Sequence, residues 1–212
     1  MKNKKKLWLS LAMFAFFILW TFFVSVIDVQ PIGPRESVVG FAHINLWFHN
    51  LTGVNMTLYH ITDWLGLVPV AFGFGFAILG LVQWICRKHI LKVDKSVIVL
   101  GVYYLIVLAA YLLFEDFVIN YRPVLIAGFL EASYPSSTTL LVLCVMPTAA
   151  MQLNSRIGNS FLRNLVSKSI MLFVAFMVIG RLISGVHWLT DIIGGVLLSA
   201  GLVWLYSYFA MD

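Results

Sequence analysis

Long apolar runs are the feature that most constrains the fold of this chain. An α-helix of about 20 apolar residues crosses the hydrocarbon core of a bilayer and satisfies its backbone hydrogen bonds internally. Here 61% of the residues are hydrophobic and only 11% are charged. Six apolar runs cover residues 7–29, 65–86, 96–114, 137–153, 169–183 and 187–209. We therefore expect an all-α bundle of six transmembrane helices, with residues 1–212 forming a single membrane-embedded domain.

The region between the first two runs, residues 30–64, mixes aromatic, histidine and polar residues. Trp47, Phe48 and Tyr59 are of the kind that lies at the boundary between lipid and water. This composition favours short helices lying on the membrane surface rather than a further span. We expect these interfacial helices on the outer face of the membrane.

The distribution of positive charge predicts the orientation of the bundle. Eleven of the fourteen lysines and arginines lie in three clusters, at the N-terminus, in residues 87–95 and in residues 154–168. Six spans place all three clusters on one side, which the positive-inside rule identifies as the cytoplasm. Both termini are then cytoplasmic in a multi-pass protein of the plasma membrane. The formal net charge of +5 thus reflects the topology of the chain and does not indicate a nucleic-acid partner. The sequence gives no indication of the oligomeric state.

The segment RLISGVHWLTD, residues 181–191, places charge and histidine between two apolar runs. A turn at Ser184-Gly185 would let His187 open the last helix, with Asp191 on the same helical face four residues later. That carboxylate can fix the imidazole tautomer and leave the other ring nitrogen free as a nucleophile or base. Arg181 supplies a forked cation suited to phosphate. The segment therefore predicts a site that handles phosphate.

Two further segments reach the same face in the predicted topology. One contains Arg122, which follows the third run, and the other opens the fourth run with Ser136, Ser137 and Thr138. A helix start of this composition offers unpaired N–H groups and hydroxyls to an anion. Two arginines and a helix N-terminus around His187 indicate phosphoryl transfer through a phosphohistidine.

The order of these motifs resembles the type 2 phosphatidic acid phosphatase superfamily. That family includes six-helix lipid phosphatases and undecaprenyl-diphosphate phosphatases, and the resemblance covers essentially the whole chain. It implies His187 as nucleophile, Asp191 as its orienting partner, and Arg122 and Arg181 as phosphate clamps. It also implies a phosphorylated lipid as substrate, with the bilayer as surroundings and no metal or cofactor.

The first and second motifs depart from the family pattern. The lysine of the first motif falls on Glu115, and the Pro-Ser-Gly-His of the second falls on residues 135–138, so its histidine is Thr138. The resemblance implies that this histidine is the general acid for the leaving oxygen, and a threonine hydroxyl is not acidic enough for that transfer. Glu115 or Glu131 could act as the acid instead if the site favoured its protonated form.

The same residues also permit other interpretations. The arginines could be interfacial anchors that reach to water, and His187 with Asp191 could hold a metal, although no third ligand is evident. A catalytically impaired family member could bind phosphorylated lipid in a transport or regulatory role. We expect an integral membrane phosphatase acting on a lipid phosphate or prenyl diphosphate at the outer leaflet.

Overall fold

The computed structural model of the protein describes residues 2–210, and side chains over residues 4–210. This described part is helical, with isolated β-bridges but no β-strand. The helices are α1 (Lys2–Val26), α2 (Ala42–Thr52), α3 (Met56–Leu65), α4 (Leu67–Arg87), α5 (Lys95–Asp116), α6 (Ser137–Asn154), α7 (Ser160–Ile183) and α8 (Leu189–Ala210). Short 3-10 helices cover Pro34–Glu36 and Ile90–Lys92.

Six helical segments of the described chain are long and apolar enough to cross a membrane, with α3 and α4 counted as one. The prediction of an all-α, six-helix membrane protein is confirmed, and short helices lie between α1 and α4 as expected. Residues 1, 211 and 212 lie outside the description. The single domain and the cytoplasmic location of the two chain ends stay predictions.

The helix at the centre of the packing is α8, which contacts α1, α5 and α6. Its glycines lie where neighbours come closest. A Cβ added to Gly201 would lie 2.8 Å from the ring of Phe14, and one added to Gly194 would lie 2.6 Å from the ring of Tyr134. Small residues permit such approach in lipid, where packing rather than exclusion of water holds helices together.

Tyr134 joins three parts of the bundle. Its side chain is buried, its ring lies against Gly194 of α8, and its hydroxyl is 2.6 Å from the hydroxyl of Thr21 in α1. Because Tyr134 precedes α6 by only three residues, these contacts fix where α6 begins. The position of the first turn of α6 therefore depends on α1 and α8.

One helix begins earlier than the apolar pattern predicts. We expected the fifth span to start near residue 169, but α7 begins at Ser160. The Asn159 side chain accepts a hydrogen bond from the Leu162 N–H at 3.0 Å, which caps the helix. The basic residues Arg163 and Lys168 therefore lie in the first turns of α7 rather than in a loop. Their long cationic side chains can still reach water from this end of the helix.

Packing at Gly194 yields a test of this architecture. Gly194→Ala should destabilise the protein by about 1–3 kcal/mol, because the added methyl group meets the buried Tyr134 ring. Gly101→Ala in α5 is the matched control, since nothing lies within 4 Å of its added Cβ. Thermal unfolding of both variants in detergent would measure the difference. Equal midpoints for the two alanine variants would contradict the close packing of α8.

Candidate active site

The loop before α6, the first turn of α6 and the turn that joins α7 to α8 meet at one end of the bundle. Arg122 Nη1 lies 3.1 Å from His187 Nε2, and Arg181 Nη2 lies 2.5 Å from Thr138 Oγ1. The predicted site residues that lie in this cluster are Arg122, Ser136, Ser137, Thr138, Arg181, His187 and Asp191.

His187 lies in the turn before α8, not on the helix as the spacing predicted. The helix begins at Leu189, because the Asp191 carboxylate accepts from the Trp188 N–H at 2.9 Å and so makes Trp188 the N-cap residue. His187 Nδ1 is 3.8 Å from Asp191 Oδ2, which is too long for a hydrogen bond. Both side chains are fully enclosed, at 1% and 0% exposure.

The contact with Arg122 determines the tautomer of His187. A guanidinium can only donate, so Nε2 must accept through its lone pair and the ring proton resides on Nδ1. Burial, and then the charges of Arg122 and Arg181, hold the pKa of His187 well below its usual range. The imidazole is therefore neutral at physiological pH, with its nucleophilic lone pair on Nε2 facing Arg122.

Two asparagines that the sequence analysis missed support Asp191 and its neighbour. Asn120 Nδ2 donates to Asp191 Oδ1 at 3.1 Å. Asn45, from α2, accepts from the Thr190 N–H at 3.2 Å and donates to the Thr190 hydroxyl at 3.0 Å. All four residues are buried. Nothing in the sequence distinguishes these asparagines from surface ones, since their role depends on how the loops fold over α8.

Arg122 is buried and held on a hairpin-like loop. Its backbone N–H donates to the Glu131 carbonyl at 3.0 Å, next to a β-bridge between Tyr121 and Ala132. Its Nε lies 3.0 Å from Glu131 Oε2, as an ion pair whose angle falls short of a hydrogen bond. Glu131 thus joins the site through Arg122 rather than standing apart from it.

Arg181 is only 2% exposed and is surrounded by oxygen acceptors. Besides Thr138, it donates to the Thr62 hydroxyl at 3.4 Å and to Asp63 Oδ1 at 3.3 Å, and it lies 4.9 Å above the ring of Tyr59. These three partners all belong to α3. The sequence analysis placed α3 at the interface but did not connect it with Arg181.

Several polar atoms of the site are buried without a well-aligned partner. They are Arg122 Nε, Ser136 Oγ, Thr139 Oγ1, Arg181 Nε and His187 Nδ1. Unpaired buried polar groups are rare in folded proteins and are costly where they occur. Ser136 also precedes α6 without capping it through its side chain. Their concentration in one place makes this end of the bundle the candidate site for a polar ligand.

An apolar groove of about 1040 Å³ lies between α4, α5 and α6 and ends at this site. Its walls run from Trp84 and Val93 at the far end to Leu67 near α3. Asp63, Ser137 and Thr138 line the end closest to Arg181. The groove therefore joins a long hydrophobic surface to the buried cations.

Glu115 lies at the side of the site. It lines a small cavity together with Ser133, Tyr134 and Ser137, near the end of α5. Within residues 4–210, no three His, Cys, Asp or Glu side chains come close enough together to hold a metal ion.

Comparison with known proteins identifies the family. The sequence matches the PAP2 superfamily over residues 73–212, so the chain belongs to this superfamily of membrane phosphatases. The predicted resemblance is confirmed at this level. A search of the curated proteins finds no match.

The fold is similar to a solved structure described as the first transmembrane PAP2 type phosphatidylglycerolphosphate phosphatase from Bacillus subtilis. The TM-score is 0.57, the sequence identity is 18%, and the alignment covers 94% of each chain. At this identity the likeness concerns the fold. Because the alignment covers 94% of the chain, it also includes most of the region before residue 73, which the family match does not reach.

The buried neutral state of His187 predicts a pH dependence of stability. Below about pH 6.5 the unfolded chain gains a proton on this ring that the folded protein excludes, so stability should fall as the pH decreases, by up to about 1.4 kcal/mol per unit. His187→Gln should remove this component, whereas His60→Gln, at an exposed position, should retain it. Thermal midpoints in detergent across this range would measure it. The same pH dependence in wild type and His187→Gln would contradict the neutral, buried imidazole.

Proposed function

We propose that the protein hydrolyses a lipid phosphate or a prenyl diphosphate at the outer leaflet of the plasma membrane, through a phosphohistidine at His187. One observation carries this proposal: the lone pair of His187 Nε2 faces the buried Arg122, and the nearby buried Arg181 donates to Thr138 and Asp63, which line one end of an apolar groove. Phosphoryl transfer to a histidine needs a nucleophile and cations for the phosphate oxygens. A lipid substrate also needs a place for its chain.

In the first step, Nε2 attacks phosphorus, the P–N bond forms and the bond from phosphorus to the lipid oxygen breaks. Arg122 must first turn away from Nε2, because one lone pair cannot accept a hydrogen bond and attack at the same time. Its guanidinium can then bind the phosphate oxygens beside Arg181. Fixed cations of this kind stabilise the charge of the transferring group without reorganisation of solvent.

The phosphorylated imidazole keeps its proton on Nδ1 and therefore carries positive charge. The Asp191 carboxylate, 3.8 Å from Nδ1 and held by Asn120 and by the Trp188 N–H, is placed to stabilise it. Water then attacks phosphorus, the P–N bond breaks, and phosphate leaves with the neutral imidazole restored. The role of Asp191 is to orient and stabilise the ring rather than to take its proton.

The groove supports a substrate that carries a hydrocarbon chain. Its lining is apolar from Leu67 to Val93, and its polar end is the one near Arg181. A chain in this groove would bring its phosphate next to Thr138. The protein from Bacillus subtilis is described as a phosphatidylglycerolphosphate phosphatase, which makes phosphatidylglycerol phosphate one substrate to test beside phosphatidic acid and undecaprenyl diphosphate.

The distribution of charge supports an outward-facing site. The lysine- and arginine-rich clusters flank the helix ends far from His187, and the positive-inside rule assigns such clusters to the cytoplasm. Phosphate groups would then be removed from lipids in the outer leaflet, with both termini on the cytoplasmic side.

A second candidate function is binding of phosphorylated lipid without turnover, in a transport or regulatory role. The specific observation in its favour is that Arg181 already donates to Asp63, Thr62 and Thr138, so part of its capacity to hold phosphate is occupied. Phosphate release distinguishes the two functions, because only the enzyme produces it.

Replacement of the nucleophile tests the enzyme. His187→Ala should abolish phosphate release from all three lipids while the folded protein still binds them, and Asp191→Asn should slow release strongly because the imidazolium loses its carboxylate. Release should be measured with purified protein in mixed micelles, with His60→Ala at an exposed position as control. His187→Ala protein as active as wild type would exclude the phosphohistidine.

Thiol labelling tests the orientation. In a Cys86→Ser background, which removes the exposed native thiol, cysteines at Glu36 and Gly128 should react with an impermeant reagent added to intact cells. Cysteines at Ile90 and Ser160 should react only after the cells are opened. All four positions are exposed, so differences report the side of the membrane rather than burial. Labelling of Ile90→Cys from outside would overturn the topology.

A further inference from the structure

This inference rests on the proposed function and concerns how the lipid oxygen leaves. Because the attacking and leaving groups lie in line on opposite sides of phosphorus, the leaving oxygen faces away from His187 Nε2. That oxygen carries the hydrocarbon chain, so it also faces the groove. An alkoxide is a poor leaving group unless it receives a proton as the bond breaks. A proton donor for this oxygen must therefore lie at the end of the groove whose lining residues contact Arg181.

The groups at this junction are few. Asp63, Ser137 and Thr138 line the end of the groove near Arg181, and Asp63 is the one carboxyl group among the groove-lining residues in the described chain. Arg181 Nη2 donates both to Thr138 Oγ1, at 2.5 Å, and to Asp63 Oδ1, at 3.3 Å. The carboxylate and the hydroxyl thus lie on the same nitrogen, next to one another.

The other two acidic candidates lie elsewhere. Glu131 pairs with Arg122, on the His187 side of the site. Glu115 lines the small cavity beside Ser133, which borders the groove at Tyr111, Ser137 and Leu140, but it does not line the groove itself. Neither carboxyl group borders the path of the lipid chain.

We infer that Asp63 is the general acid of the reaction and then its general base. When His187 Nε2 attacks, the Asp63 carboxyl passes its proton to the lipid oxygen, which leaves as an alcohol. In the second step the ionised carboxylate takes one proton from the attacking water as the new P–O bond forms and the P–N bond breaks. Inorganic phosphate, neutral His187 and protonated Asp63 result, so the cycle is balanced.

The position of Asp63 gives its carboxyl group access both to the bound phosphate and to water. Its Oδ1 lies 3.3 Å from Arg181 Nη2, so a phosphate that binds Arg181 lies beside this carboxyl group. The Asp63 side chain is 53% exposed, whereas Arg181 is 2% exposed. Asp63 can therefore exchange protons with water while the arginine remains enclosed.

The experiment compares two leaving groups on the same variants. Phosphatidic acid releases an alcohol and needs the proton, whereas p-nitrophenyl phosphate releases a phenolate that needs little help. Asp63→Asn keeps the size of the side chain and an oxygen acceptor for Arg181 but removes the acid. Turnover of phosphatidic acid should fall by about 10²–10⁴-fold, and turnover of p-nitrophenyl phosphate by less than about 10-fold. Asp63→Glu should recover part of the loss on phosphatidic acid.

Each other result has a distinct meaning. Equal losses on both substrates in Asp63→Asn would show that the residue only positions Arg181, and would overturn the inference while leaving the phosphatase intact. A selective loss on phosphatidic acid in Glu115→Gln or Glu131→Gln, but not in Asp63→Asn, would assign the acid elsewhere and overturn it too. If wild-type protein releases phosphate from neither substrate nor from undecaprenyl diphosphate, the proposed function fails and this inference fails with it.

Discussion

The packing and the electrostatics at one end of this protein depend on two arginines that are buried near a neutral histidine. A buried cation is tolerated only where acceptors replace the water it has lost. Arg181 finds them on α3 and at Thr138, and Arg122 finds them at Glu131 and at His187 Nε2. Burial together with these same charges keeps the imidazole unprotonated. The contacts that hold the loops against the bundle and the chemistry of the nucleophile thus arise from one electrostatic arrangement.

Most of the fold could be predicted from hydropathy, because a long apolar run in a bilayer must satisfy its backbone hydrogen bonds internally and therefore forms a helix. The number of spans and the short helices before α4 are as predicted. Helix ends were less predictable, because they depend on single hydrogen bonds. Asn159 starts α7 nine residues before the apolar run, and the Asp191 carboxylate makes α8 begin at Leu189, so that His187 is left in the turn.

The candidate site residues stand out in the sequence because charges are scarce in a hydrophobic chain, and the structure brings Arg122, Arg181 and His187 to one end of the bundle. What the sequence could not reveal is their support. Asn45, Tyr59 and Asp63 lie in a mixed segment whose residues look like surface ones, and their roles appear only once α2 and α3 have folded over α7 and α8. Long-range contacts of this kind leave no periodic signal in the sequence.

The helices α3 and α4 follow one another with only Gly66 between them. The partners that hold Arg181 lie on the first, and one wall of the apolar groove is the second. Because only Gly66 separates the two helices, the place of α4 beside the groove and the place of α3 beside Arg181 depend on each other. The width of the groove and the number of oxygen atoms around the guanidinium are thus set by one continuous stretch of chain.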